Sequence, residues 1–257
     1  LYREHKERIS RRDLGELVRK ERNELKQQKA QQQYHIQWHV SRLVWAMDDT
    51  QYRPDPKYPK AYLHNVQDLG SRYKFGALVG LNLACGEDVV AHLAELFNRH
   101  GPPLFLKRDN GGNLNHHGVD ELLQAAMVIP LNSPCCYPQY NGSMERAQRE
   151  IKKALSAHVK APSAFLAIQS DMEIHELNHS PREDLGNRTP CSVFGSGKEY
   201  ARRYTRRKRK EVYESIREKT LAFADMEGYD PDRAWRRAVR TWLQENRFIT
   251  VSRGGKV

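Results

Sequence analysis

The most constraining feature of this 257-residue chain is a change of apolar rhythm between Leu43 and Phe194. Three short runs of strand-forming residues come first, at 43–47, 61–66 and 73–81, with links short enough for antiparallel hairpins or a meander. The rhythm then turns helical. Val89, Leu93, Leu96 and Phe97 fall at i, i+4, i+7 and i+8 before Gly101-Pro102-Pro103 closes the helix. Leu104-Phe105-Leu106 reads as a buried strand, Val119, Leu122, Leu123 and Ala126 as one face of a second helix, and 127–131 as a further strand. A third helix runs from near Ser143 to about His158. The order βββ-α-β-α-β-α predicts an α/β fold in which a mixed sheet is flanked by helices.

Both flanks of this segment are polar. Residues 1–38 carry Arg11-Arg12, Arg19-Lys20-Glu21-Arg22 and a Gln-rich stretch, which predicts an exposed helical arm or linker. Residues 199–257 open on the densest basic run, Arg202-Arg203-Tyr204-Thr205-Arg206-Arg207-Lys208-Arg209-Lys210, followed by two helical patterns and a short apolar end. The expected division is therefore 1–38, a core at 39–198, and a basic helical region at 199–257. In the last helical pattern Trp235, Val239 and Trp242 fall at i, i+4 and i+7, which reads as a packing helix rather than a recognition helix.

Lys and Arg number 43 against 32 Asp and Glu, a formal charge of +11 that points to a polyanionic partner, most often nucleic acid. No stretch reaches the roughly 20 apolar residues of a membrane helix, and the first residues lack the apolar core of a signal peptide. Four cysteines, Cys85, Cys135, Cys136 and Cys191, suit a reducing compartment, so cytosol or nucleoid is expected, or the nucleus of a eukaryotic host. With a first residue other than Met, the chain is expected to be an excerpt of a longer one with further domains. Zinc is not expected: His35 and His39, and His116 and His117 with Cys135 and Cys136, complete no structural zinc spacing. Gly111-Gly112 lacks the Lys-Ser/Thr of a phosphate loop.

Three acids stand where the layout gathers side chains: Asp48 at the end of the first strand, Asp109 after the strand that follows the first helix, and Glu145 in the first turn of the third helix. Carboxylates there suit hard Mg²⁺ or Mn²⁺, which take oxygen ligands. Asp49 and Asp68 are competing acids near strand ends.

At these residues the chain resembles the catalytic domain of the retroviral-integrase superfamily, which includes the aspartate-aspartate-glutamate (DDE) transposases of bacterial insertion sequences. The matching boxes are Trp45-Ala46-Met47-Asp48-Asp49-Thr50, the apolar run 62–67 ending in Asp68-Leu69-Gly70-Ser71-Arg72, then Asp109-Asn110-Gly111 and Pro138-Gln139-Tyr140-Asn141-Gly142-Ser143-Met144-Glu145-Arg146. Thirty-five residues separate Asp109 from Glu145, as in that group. A looser match runs from Leu177-Asn178-His179-Ser180-Pro181-Arg182 to Arg188-Thr189-Pro190, so the resemblance spans about 43 to 194. The departures are Arg108, where a serine is usual, and Gly112-Asn113-Leu114, where an acidic-aromatic pair is usual.

The resemblance implies a ribonuclease-H-type fold and a transposase or integrase that cleaves DNA and transfers the freed 3′-OH end. Asp48, chosen over Asp49 by the Trp-x-x-Asp pattern, would join Asp109 and Glu145 in holding two Mg²⁺ or Mn²⁺ ions. On the third helix Glu145, Arg149 and Lys152 recur on one face, and Lys152 falls where such enzymes place a DNA-contacting lysine. Arg149 and Lys152, with Arg202, Arg203, Arg206, Arg207, Lys208, Arg209 and Lys210, are the expected phosphate contacts. The expected partners are double-stranded element ends and target DNA, with a homo-oligomer assembled on them. The rival readings are a metal-dependent nuclease of related fold that does not join strands, and a non-catalytic DNA-binding assembly protein.

Overall fold

A computed structural model describes residues 10–32, 34–134, 138–158, 166–227 and 230–253. The elements are α1 (Arg11–Gln32), β1 (Tyr34–Trp38), β2 (Val44–Tyr52), β3 (Ala61–Asp68), β4 (Leu78–Gly80), α2 (Gly86–His100), β5 (Phe105–Arg108), α3 (His117–Ala125), β6 (Ile129–Asn132), α4 (Gly142–His158), α5 (Leu166–His179), α6 (Pro190–Ser196), α7 (Lys198–Arg202), α8 (Arg206–Glu227), α9 (Pro231–Glu245) and β7 (Ile249–Arg253). The main sheet has the order β4-β3-β2-β5-β6, with β2, β3 and β4 antiparallel and β2, β5 and β6 parallel. This is the mixed α/β sheet that the apolar rhythm predicts.

Strand alternation sorts the sheet's two faces. Val44 and Ala46 join Phe105, Ile129 and Leu131 in one cluster, covered by Met144 of α4 and by Val212, Ile216, Ala238, Val239, Trp242 and Leu243 of α8 and α9. Trp45 and Met47 point the other way, into Val89, Leu93, Leu96 and Phe97 of α2 and Val119 and Leu123 of α3. A third cluster packs Tyr52, Ala61 and Leu63 against Ile151 and Leu155 of α4 and Leu166 and Ile174 of α5. Apolar area buried on both faces explains why the central strands read as nearly continuous apolar runs.

Three features differ from the sequence expectation. The third strand is only three residues long: after Arg72 turns the chain through a left-handed conformation (φ 63°), 73–75 keeps a single bridge to β3, Lys74 opposite Gln67, while Tyr73 and Phe75 pack on Phe194 and Trp45. Asn178 covers the outer edge of that bridge: its Oδ1 accepts from Lys74 N at 2.9 Å and its Nδ2 donates to Lys74 O at 2.7 Å, while Tyr73 O accepts from Asp68 N and Phe75 N donates to Val66 O on the β3 side. Secondly, the polar first segment ends in a strand, since β1 pairs antiparallel with β7 from the far end of the chain. Thirdly, the basic helix α8 packs onto the sheet instead of extending from it, alongside α9, whose packing face the sequence predicts.

That packing corrects one expected phosphate contact. Arg209 is 7% exposed, and its guanidinium donates to the carbonyls of Tyr204 (3.0 Å), Pro103 (2.5 Å) and Pro102 (2.6 Å). A side chain whose donors serve backbone carbonyls inside the protein has none left for DNA. Arg202, Arg203, Arg206, Arg207, Lys208 and Lys210 are exposed, although Arg207 and Lys208 both pair with Glu211. Among the described residues no helix is long and apolar enough to cross a membrane.

Removing Arg209 strands buried carbonyls, so Arg209→Ala should lower unfolding free energy by about 2–4 kcal/mol, whereas Arg202→Ala should stay within about 0.5 kcal/mol. Urea denaturation followed by circular dichroism measures both.

Candidate active site

Parallel pairing brings the first two acids together. Val44 is in register with Phe105 and Ala46 with Lys107, and one further alternation on each strand carries Asp48 and Asp109 onto the same face. Asp48 lies in the middle of β2 and not at its end, a correction to the sequence expectation: β2 runs on to Tyr52 because β3 continues to pair with it, Asp48 opposite Asn65. Asp109 follows the last residue of β5, and Glu145 lies in the first turn of α4, as expected.

The electrostatics tie the three together. The Asp48 carboxyl is pushed up to about 6, chiefly by burial, with the charges of Asp109 and Asp49 adding to it and hydrogen bonds from Asp49 N and Gln148 opposing it. Lys107, buried on β5, is pulled down to about 7 by burial, against the charges of Asp48, Asp109 and Glu145, all of which reach its amine. Lys152 is lowered by burial, with Asp48 opposing. Asp48, Asp109, Glu145, Lys107 and Lys152 therefore share one electrostatic field. Arg149 is exposed one turn from Glu145.

The competing acids have other tasks. Asp49 accepts from Asn113 Nδ2 at 2.7 Å and is paired with His64 Nδ1 at 2.8 Å, so its carboxylate is held from both sides on the face away from Asp48. Asp68 is fully buried and accepts from Arg42 N (2.7 Å), Ser71 N (2.8 Å) and Ser71 Oγ (2.5 Å), which makes it the organiser of the turn after β3. Gly70 in that turn is required sterically: a Cβ there would stand 2.0 Å from the Val40 carbonyl oxygen.

The two departures from the superfamily boxes also have physical reasons. Arg108 is buried and donates to Asn132 Oδ1 (2.8 Å), Leu114 O (3.0 Å) and Asp120 Oδ1 (2.5 Å), joining β5 to β6, to the loop after Asp109 and to α3. Asn113 anchors that loop to Asp49 and to Ala84 O (3.0 Å), while Leu114 fills the core. Sequence reasoning missed Lys107, Asn113, Asn141 and Gln148. Asn141 and Asn113 stand in or beside the superfamily boxes without a role of their own, and Gln148 follows Glu145 by three residues on the inner edge of the same helix.

A divalent ion suits this donor set by its chemistry: all three candidate ligands are oxygen acids, and the mutual repulsion of Asp48 and Asp109 is what a dication would relieve. Among the described residues no three acids, histidines or cysteines are yet gathered tightly enough to ligate one ion. Of the residues weighed for zinc, His39 bonds Thr250 Oγ1 at 2.7 Å and His116 accepts from Gly118 N in the first turn of α3, whereas Cys135 and Cys136 lie outside the described residues.

No protein-family profile matches the sequence. A stretch of 129 residues, 49% of the chain, is 25% identical to the Gag-Pro-Pol polyprotein of squirrel monkey retrovirus, and spans only 6% of that polyprotein. Among solved structures, the catalytic core of BIV integrase aligns with 61% of this chain and 96% of its own at TM-score 0.51 and 22% identity. The trimeric form of the HTLV-2 integrase core aligns with 60% and 97% at TM-score 0.50 and 18% identity. A chain of the simian T-cell lymphotropic virus intasome aligns with 63% and 59% at TM-score 0.51 and 16% identity. The chain has the fold of the retroviral-integrase superfamily. That fold is ribonuclease-H-like, and its alternation of strands and helices is the one expected from the sequence.

A carboxylate must be ionised to bind a metal, and Asp48 takes up its proton near pH 6. Mn²⁺ binding to the DNA-free protein should therefore be constant from pH 8 to about 7 and weaken below about 6, approaching tenfold per pH unit; a titration of free Mn²⁺ by electron paramagnetic resonance across pH 5–8 checks it.

Proposed function

We propose that this chain is a polynucleotidyl transferase that cleaves DNA strands and joins the freed 3′-OH ends to target DNA, with Asp48, Asp109 and Glu145 as its acidic centre. The observation that carries the reading is the strand register that puts Asp48 and Asp109 on one face, with Glu145 in the first turn of the helix packed against it, in a sheet with the integrase-core fold. Asp48, Asp109 and Glu145 would hold Mg²⁺ or Mn²⁺, two ions per site. Such ions, when bound, stabilise the charge on the attacking and leaving oxygens of an in-line displacement. The neighbour solved with magnesium and the neighbour solved within an intasome support a divalent ion and an assembly of several copies on DNA ends.

The chain's own residues supply the positioning. Gln148 donates toward Asp48 and to the Asp49 carbonyl (3.3 Å), fixing the acid against α4. Glu150, on the side of α4 away from this centre, receives two bonds from Arg182 (2.9 and 3.0 Å) and an ion pair from buried Lys74 (2.8 Å), which locks the helix to the β3–β4 turn. Lys152 and Arg149 would take the phosphates beside the cut, and Arg202, Arg203, Arg206 and Lys210 those farther along the duplex. In the first step water oxygen attacks phosphorus and the 3′-oxygen leaves; in the second that 3′-hydroxyl attacks a target phosphodiester. Both are the same displacement, so one acidic centre serves both.

Residues 39–198 are proposed as the catalytic unit, with 1–38 and 199–257 as its flanks. The bacterial insertion-sequence branch is proposed on the sequence boxes alone. Acting on DNA would place the protein at the nucleoid, or in a eukaryotic nucleus.

Asp109→Asn and Glu145→Gln should each bind end DNA within about twofold of wild type yet lose at least about 10³-fold in Mg²⁺-dependent nicking and in joining of a pre-cut 3′-OH end. Retained wild-type activity would sink the assignment. Nicking without joining would favour the nuclease reading, and neither activity in wild type the assembly-protein reading. Lys152→Ala should weaken DNA binding while lowering the slope of log K against log salt by about one, measured by fluorescence anisotropy at several salt concentrations.

A further inference from the structure

Lys107 is a lysine where burial is costly. It is 6% exposed, in the interior of the sheet, on the same face as Asp109 two residues later. Its amine donates to the carbonyl of Tyr140 and to Asn141 Oδ1 (2.8 Å), and it lies 4.2 Å from the centre of the Tyr140 ring. Those partners belong to the short 3₁₀ turn Pro138–Asn141, immediately before α4. Asn141 Oδ1 is also 2.9 Å from Ser133 Oγ, and Ser133 is bound through Oγ and N to the Arg108 carbonyl (3.1 and 2.9 Å). The ends of β5 and β6 and the start of α4 are thus stitched at one point. Glu145 begins four residues later, in the first turn of the helix that this point anchors.

We propose that Lys107 is a positioning residue: its ammonium fastens the Tyr140-Asn141 turn to β5 and so fixes Glu145 opposite Asp109. This rests on reading the three acids as a metal centre. It gives a role to Asn141, whose Oδ1 accepts from Lys107 of β5 and lies beside the Ser133 hydroxyl that follows β6. It also explains how a cation is tolerated beside a cation-binding centre, since its donors are directed at the turn and not at the carboxylates.

Two roles for Lys107 give opposite signs. If it acts as a tie, Lys107→Met loosens Glu145 and weakens Mn²⁺ binding to the DNA-free full chain by about tenfold. If it acts only through its charge, its removal leaves that binding equal or tighter, and the proposal is overturned. Asn141→Ala keeps the lysine and cuts the tie, so it should also weaken Mn²⁺ binding; unchanged affinity overturns the proposal even where Lys107→Met does not fold. In joining assays with a pre-cut end, both variants should lower kcat about tenfold or more with KM for DNA within about twofold, and the double variant should be no worse than the worse single. Additive losses in kcat would contradict a shared tie. Failure of the metal-centre reading is recognised separately, as wild-type Mn²⁺ binding that survives Asp109→Asn and Glu145→Gln. In that case thermal unfolding of the same double-variant cycle still judges the tie: a coupled loss in Tm supports it and an additive loss refutes it.

Discussion

Everything at the acidic centre depends on the parallel pairing of β2 with β5. The pairing is short, from Val44 opposite Phe105 to Met47 opposite Arg108, but it sets two registers at once. It sends Val44, Ala46 and Phe105 into the cluster under α8 and α9, and Trp45, Met47 and Leu106 into the cluster under α2 and α3. By the same alternation it lifts Asp48 and Asp109 onto the face approached by α4. A one-residue slip of β2 would turn Trp45 into the wrong layer and carry Asp48 to the face opposite Asp109, so the apolar core on each side enforces the register of the two acids.

Half-burying Asp48 beside other acids is unfavourable, whereas Asp109 and Glu145 stay exposed. Asp48 carries the strain openly, its carboxyl raised by burial and by its neighbours. Asp49 and Asp68, which lie as near to the strands in sequence, are fully engaged by His64 and Asn113 and by Ser71 and Arg42, respectively. The engaged acids build the frame, and the proposed site is left to the less engaged ones. Arg108 belongs to the frame: its guanidinium points away from the acids, into β6 and α3.

On the sheet face that α4 approaches, the end covered by α8 and α9 shows a similar division among cations. The basic run at the start of α8 is one patch in sequence and two populations in space. Arg209 is spent on the carbonyls of Pro102 and Pro103, holding α8 against the loop that leads into β5, while the residues around it stay outside. Trp235 on α9 donates to the Pro130 carbonyl of β6 at 3.1 Å, and Trp242 packs against Phe105. The C-terminal helices therefore brace the strand that presents Asp109, a role beyond carrying charge.

The sequence by itself determined the layers and the acids. Periodicities of two and 3.6 are local, and the boxes around Asp48, Asp109 and Glu145 are contiguous, so both are legible before folding. What only the tertiary structure decided depends on contacts between residues far apart in the chain. The outer edge at Lys74 is covered by the Asn178 amide, about 100 residues away, and Tyr73 is stacked by Phe194; whether β1 is a strand at all is settled by β7. Lys107 and Arg209 look like any other basic residues in a chain with a charge of +11. Burial and direction of the donor groups separate them from cations free to meet DNA, and neither quantity is written in a residue's identity or spacing.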